Sequence, residues 1–211
     1  EMLRSLVGSE MCIRDRTNCY IVYDDDKNGF IIDPGAEAEK ILAYVKNLGL
    51  AIEGILLTHG HGDHISALNK VRDALGVKVY MHKDELENFL SQSPQFVAML
   101  GGELPNKNPD VLLQDGDIIS FKAGDVKVLF TPGHTPGGVC YLYGDTLFTG
   151  DTLFQGSIGR TDFPGGDVAA IMESLVKLSK LDEDLKVLSG HGFATTIGTE
   201  KRMNPFMRQI L

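Results

Sequence analysis

Hydrophobic positions along this chain fall in short β-branched or aromatic runs, separated by longer stretches with helical spacing. Residues 18–23 and 29–32 read as two strands, and the Asn28-Gly29 step between them is a hairpin signal. Asp33-Pro34-Gly35 stops the second strand. Ile41, Leu42, Val45 and Leu48 then recur on one helical face and end at Gly49, where a left-handed cap is easiest. Ile55-Leu56-Leu57 reads as a buried strand, Leu68, Val71 and Leu75 mark a helix stopped by Gly76, 77–81 is a strand and 84–90 a short helix. Residues 91–109 mix Pro, Gly and Asn with Phe96, Val97, Met99 and Leu100, which predicts a partly helical lid or surface excursion.

The second half repeats this grammar. Residues 117–121, 126–131, 139–143 and 146–149 read as short strands joined by turns such as Ala123-Gly124-Asp125 and Gly144-Asp145. Asp167 is a good N-cap for a helix with Val168, Ile171, Met172, Leu175 and Leu178 on one side. Residues 185–189 form a last strand, followed by a helical or irregular tail. Strands grouped with helices between them, twice over, predict an α/β fold of two sheets packed face to face with helices outside. Residues 1–16 show neither alternation nor a helical stripe, and no element is assigned to them.

The strand at 55–57 runs into Thr58-His59-Gly60-His61-Gly62-Asp63-His64, three histidines and an aspartate within six residues. Imidazole and carboxylate are donors that zinc and iron accept, and the two glycines let the backbone bring them together. His59 and His61, two apart, share a face if extended geometry continues, so both reach one ion; Asp63 and His64 point elsewhere and suit a second. A solvated polar loop explains one such histidine but not the set. Two ions need more donors than one loop carries, and later strand ends supply them in Gly133-His134, Gly150-Asp151 and Gly190-His191. Any one of these has a dull reading as a turn aspartate or a backbone-bonded histidine; four elements ending alike do not. His82 follows a strand without a glycine loop or a neighbouring donor and reads as structural or as a rim residue.

Composition narrows the setting. With 211 residues, 43% of them hydrophobic, the chain suits one globular domain with a sizeable core. A net charge of -9 supplies no global basic field, so no nucleic-acid partner is expected and phosphodiester cleavage on RNA fits poorly. No stretch approaches the ~20 apolar residues of a membrane span. Cys12, Cys19 and Cys140 show no Cys-x-x-Cys spacing, and two of them sit in apolar strand-like contexts, as small core hydrophobes in a reducing compartment would. Residues 1–16 lack a secretory signal pattern, which leaves the cytoplasm as the default.

Five blocks in order, Ile32-Asp33-Pro34-Gly35, the 59–64 run, Gly133-His134-Thr135-Pro136-Gly137, Gly150-Asp151-Thr152-Leu153-Phe154 and Gly190-His191-Gly192, resemble the metallo-β-lactamase superfamily, specifically its short glyoxalase II-like (hydroxyacylglutathione hydrolase-like) hydrolases. The resemblance runs from about Thr17 to the C-terminus. It implies a single domain over 17–211, a four-layer αββα sandwich of two mixed β-sheets with helices on the outer faces. It also implies a first metal on His59, His61 and His134, a second on Asp63, His64 and His191, Asp151 bridging them and Asp33 beneath the site. The implied cofactor is two Zn2+ per chain, with Fe or Mn as the other candidates at either site. The implied reaction is hydrolysis of a small acyl-thiol, such as a glutathione thioester, by a metal-bridged hydroxide. Two ions ~3.5–4 Å apart lower the pKa of a shared water toward ~7. Asp63 is then the catalytic residue, orienting the hydroxide and taking its proton, and the thiolate leaves with little general-acid help. No substrate-binding residue is assigned.

The chain departs from the family in places. Residues 192–211 are too few for the C-terminal helical domain with which glyoxalase II holds glutathione, and 195–206 instead resembles the ending of short single-domain relatives. Asp151 stands where the zinc β-lactamases have no aspartate, which disfavours antibiotic hydrolysis. Gly159-Arg160-Thr161-Asp162-Phe163 is shared by the hydrolases and by the mononuclear iron persulfide dioxygenases, an alternative activity on the same fold; an Arg160 to Asp162 pair fixing the loop is its structural reading. An inactive metal-binding scaffold is a third alternative. Ile65-Ser66-Ala67 and Ser189 replace a glycine pair and a proline of many relatives without removing a donor. Residues 1–16 do not match the strand with which relatives begin, and 5–16 resembles translated adaptor sequence, so the segment is expected to be non-native or disordered.

Overall fold

The computed structural model describes residues 4–7, 17–99 and 103–211. The first half runs β1 (Arg4–Val7), β2 (Tyr20–Tyr23), β3 (Asn28–Ile32), α1 (Ala38–Leu48), β4 (Ala51–Leu56), α2 (Gly62–Ile65), α3 (Leu68–Leu75), β5 (Lys78–His82), a 3-10 turn (Lys83–Glu85), α4 (Leu86–Leu90), α5 (Pro94–Met99) and β6 (Val111–Leu113). The second half runs β7 (Ile118–Phe121), β8 (Gly124–Phe130), β9 (Val139–Tyr143), β10 (Thr146–Gly150), β11 (Leu153–Phe154), β12 (Ser157–Ile158), α6 (Val168–Ser179), β13 (Lys186–Ser189), β14 (Thr195–Thr196), α7 (Ile197–Met203) and a final 3-10 turn (Met207–Gln209).

Two six-stranded mixed sheets result, in the orders β1-β2-β3-β4-β5-β6 and β14-β13-β10-β9-β8-β7. β3 to β6 are parallel, β1 to β3 antiparallel, and in the second sheet only β10 and β13 pair in parallel. Side chains alternate across a strand, and this alternation decides the layers. Phe30, Ile32 and Leu56 meet Val128, Tyr141, Phe148 and Leu188 in the core between the sheets. Their neighbours Ile31, Ile55 and Leu57 face outward against Ile41 and Val45 of α1 and Leu68 and Val71 of α3. Leu129, Leu147 and Val187 likewise turn outward against Leu175 and Leu178 of α6 and Ile197 of α7. This is the expected four-layer αββα sandwich.

Several boundaries differ from the sequence expectation. β4 begins at Ala51, ahead of the apolar run, because its first three residues are only partly covered and carry no burial signal. β6 extends the first sheet beside β5, though three residues are too few to show a period. The 91–109 excursion contains α5. Arg4–Val7, to which no element was assigned, pairs as an edge strand with β2, whose backbone groups would otherwise lack partners on that side; the rest of the expectation for residues 1–16, Cys12 included, lies outside the described residues. Cys19 and Cys140 are buried and unbridged. No described helix is long and apolar enough to cross a membrane.

Candidate metal centre

β4, β8, β10 and β13 all deliver their carboxyl ends to one edge of the sandwich, and each is followed within a few residues by one of the expected donors. His59, His61 and His134 bring one ligand atom each within 4.8 Å of one another, as do Asp63, His64 and His191. Asp151 sits between the two groups. Its Oδ2 lies 3.5 Å from His134 Nε2 and 3.3 Å from His191 Nε2, and its Oδ1 lies 3.4 Å from His64 Nε2. His191 Nε2 is 3.3 Å from Asp63 Oδ2, and His61 Nδ1 is 2.9 Å from His134 Nε2. All seven residues singled out in the sequence therefore converge.

Hydrogen bonds on the outer side fix which ring nitrogen faces inward. Thr58 Oγ1 donates to Asp33 Oδ2 at 2.6 Å, so it accepts from His59 Nδ1 at 3.0 Å, leaving His59 Nε2 unprotonated and inward. Asp33 Oδ2 also holds His64 Nδ1 at 2.9 Å, and its Oδ1 accepts from Thr58 N at 2.8 Å. Asp33 is thus buried beneath the site, in left-handed backbone (φ 49) that a non-glycine residue keeps only when its surroundings impose it. His134 Nδ1 donates to the Arg160 carbonyl at 2.7 Å, which again turns Nε2 inward.

The two groups differ in charge preference. Burial holds His59, His61 and His134 below the ordinary imidazole range, His61 at about 4, which keeps them neutral as metal donors must be. Around His64 and His191 burial acts the same way, but the carboxylates of Asp63 and Asp151 outweigh it and raise both, His191 to about 9. Asp63 and Asp151 are held low despite burial, chiefly by His64.

His59 Nε2, His64 Nε2 and Asp151 Oδ1 are buried without a hydrogen-bond partner. Each such atom costs about 1–3 kcal/mol unless something satisfies it. Three buried atoms left without partners, among imidazoles and carboxylates, fit cations, and the His/Asp clusters are consistent with a binuclear metal site. Iron and zinc both suit this donor set.

Over the donors opens a cleft of ≈ 810 Å³, lined by the apolar Phe154, Ile158 and Phe163 and by the polar Asn88 and Gln92. The β11-β12 hairpin, which contributes Phe154 and Ile158 to the lining, is hung from α7 and its C-cap: Gly156 N donates to Glu200 Oε2 at 2.7 Å, and Asn204 Nδ2 to the Ser157 carbonyl at 3.0 Å. Arg160 pairs with Asp162 through two 2.7 Å contacts and lies over the Phe163 ring at 3.8 Å, the loop-fixing arrangement expected for it. His82 is buried away from the donors, stacked on Phe130 and accepting from Asp84 N.

Sequence reasoning missed the supports of the later loops. Thr17 Oγ1 donates to Asp63 Oδ2 at 3.0 Å, Asn18 Nδ2 to the Ser189 and Gly192 carbonyls, and Tyr20 Oη to the Ser189 carbonyl. Their one visible signal was a polar Thr-Asn pair opening an apolar strand.

Comparison with known proteins agrees with this geometry. Residues 13–191 match the model of the metallo-beta-lactamase superfamily. The hydroxyacylglutathione hydrolase GloC of Haemophilus influenzae is 42% identical over 198 residues, 90% of this chain and 92% of that protein. Among solved structures, the BLEG-1 B3 metallo-beta-lactamase superposes with a TM-score of 0.87 at 39% identity, covering 98% of this chain and 99% of the other. TTHA1623 in a di-iron-bound form superposes at 0.80 and 35% identity, covering 98% of this chain and all of the other. The chain belongs to the metallo-beta-lactamase superfamily.

Proposed function

We propose that this chain is a binuclear zinc hydrolase of thioesters, cytoplasmic, with a small acyl-thiol such as a glutathione thioester as substrate. The observation that carries the proposal is Asp151, placed between a three-histidine group and an Asp63/His64/His191 group on the floor of a partly apolar cleft. The name of the GloC relative points to the same reaction class. His59, His61 and His134 would hold one ion and Asp63, His64 and His191 the other, with Asp151 shared. Two bound cations supply a water acidified toward pKa ~7 and an electrophilic contact for the carbonyl oxygen.

The remaining work falls to the chain. Asp63 Oδ2, tethered by Thr17 Oγ1, presents a carboxylate at the cleft floor that orients the attacking water and takes its proton. Asp33, through Thr58 and directly through His64, fixes two of the imidazoles so that no donor has to reorganise as charge develops. Phe154, Ile158 and Phe163 cover apolar parts of the substrate and thin the water around the carbonyl. A departing thiolate is a weak base and leaves without a dedicated acid, which suits a thioester to a site whose carboxylates are held in the charged form.

A second reading, β-lactam ring opening, is favoured by the likeness to BLEG-1. One experiment separates these readings: metal analysis of protein purified without added metal, with assays of glutathione-thioester hydrolysis, β-lactam hydrolysis and sulfide-dependent oxygen uptake. Two zinc ions with thioester hydrolysis is the expected result. One iron with oxygen uptake, or β-lactam turnover without thioester turnover, overturns it.

A further inference from the structure

Besides Asp33, a second buried carboxylate near the centre is not among its donors. Glu85, at the end of the 3-10 turn before α4, is fully buried. A buried carboxylate is costly unless its oxygens are bonded. Here Oε1 accepts from Gly60 N at 2.8 Å and from Asn88 Nδ2 at 2.5 Å, and Oε2 accepts from Gly137 N at 2.9 Å. Gly60 lies between His59 and His61, and Gly137 closes the loop that begins at His134. One side chain therefore ties together, through the backbone, the two loops that carry the three-histidine group.

The turn and α4 are together seated against both loops. A Cβ added at Gly137 would come within 2.2 Å of Glu85 N, and one at Gly60 within 2.8 Å of Phe89 Cα. Three and seven residues beyond Glu85, Asn88 and Gln92 continue the polar stripe along the same side of the segment. Gln92 Nε2 donates to the Asn88 carbonyl at 2.9 Å, and Gln92 Oε1 accepts from Gly62 N at 3.0 Å. Asn88 and Gln92 also line the cleft. Gln92 thereby reaches the start of α2, but among the described residues the bonds of Glu85 itself go to Gly60, Asn88 and Gly137, while Asp63 is held by Thr17, His64 by Asp33 and the His191 loop by Asn18.

We infer that Glu85 is a positioning residue for the three-histidine half of the centre alone, setting the separation of the 59–61 and 134–137 loops through the Gly60 and Gly137 amides. The inference rests on the metal-site reading and not on the identity of the substrate. Glu85→Gln keeps the shape but turns one acceptor into a donor facing an amide N–H, so one loop loses its anchor.

The test isolates each half. In a His191→Ala background, the metal-free protein is titrated with Zn2+ against a chromogenic chelator, with and without Glu85→Gln; the same pair is made in a His61→Ala background. Glu85→Gln should weaken Zn2+ binding by about 10-fold or more in the first background, the range set by loss of an outer partner to a ligand, and leave it unchanged in the second. Equal losses in both backgrounds, or none in the first, overturn the inference. Should Glu85→Gln fail to accumulate as folded protein, Asn88→Ala, which removes one donor to Oε1 from a partly exposed position, should show the same selectivity at smaller amplitude; equal or absent effects again overturn it. A parent chain that binds no Zn2+ refutes the site reading itself, an outcome distinct from loss of thioesterase activity.

Discussion

The two halves of the chain build the centre by different routes. The first delivers His59, His61, Asp63 and His64 from one contiguous run, the loop after β4 and the start of α2, within six residues. The second delivers His134, Asp151 and His191 singly, after β8, β10 and β13. The contiguous loop gains its directions from a local scaffold, Asp33 with Thr58, whereas the scattered donors depend on sheet register to arrive together. Compact donor sets are thus cheap to specify in sequence and need bracing, while dispersed sets are specified by the fold.

Asp151 is where the two routes meet, and its loss should have the largest effect. Asp151→Ala is expected to lower thioester kcat/KM by more than ~100-fold, beyond the loss that accompanies removal of an outer partner, and to reduce bound metal below two per chain. Full hydrolysis by this variant would contradict a shared donor. Asp33→Ala should come next, at about 10–100-fold in metal affinity, because it frees the supports of both His59 and His64. Chelator competition measures it, and an effect no greater than that of an exposed aspartate such as Asp125 would show that the loop braces itself.

A smaller effect tests the charge contrast between the groups. In the metal-stripped protein His59, His61 and His134 are held neutral by burial, so their contribution to stability is present above pH ~6.5 and lost as pH falls toward 4. His191 is raised to about 9, so its contribution is full below pH ~6.5 and lost as pH rises through 9. Stripped His191→Ala should therefore melt below stripped wild type at about pH 6 and match it near pH ~10. A difference that stays constant over that range would place the Tm change in packing. Phe163→Ala should do least, raising KM several-fold with kcat nearly unchanged, since Phe163 lines the cleft and offers no donor atom, meeting the His61 ring only edge-on at 5.9 Å; steady-state kinetics with two acyl chain lengths reads it.

What the sequence made legible follows the same contrast. The 59–64 run announces itself because chemistry is concentrated there, and the alternation of Phe30, Ile31 and Ile32 or Leu56 and Leu57 marks the sheet faces directly. His134, Asp151 and His191 were legible only because four elements end alike. Asn18 was not: its partners at Ser189 and Gly192 lie 171 and 174 positions away, and no local pattern encodes such a pairing. Glu85 was hidden for a related reason, since in sequence it is one acidic residue among several at a helix start, and only burial sets it apart. β6 and the β11-β12 hairpin are too short to carry a period.

The hairpin hung from Glu200 and Asn204 carries no donor, and its bonds to α7 run through backbone groups of Gly156 and Ser157. Changes at its side chains therefore leave the backbone anchorage in place, while Phe154 stands edge-on to the His191 ring at 5.9 Å and Ile158 packs against the core that Leu175 and Leu178 of α6 line. That anchorage makes the hairpin a natural cassette for retuning: a library confined to Gln155 and Ile158, with Phe154 kept aromatic beside His191, explores new acyl groups on an intact reaction centre, much as a lens can be exchanged on a fixed camera body.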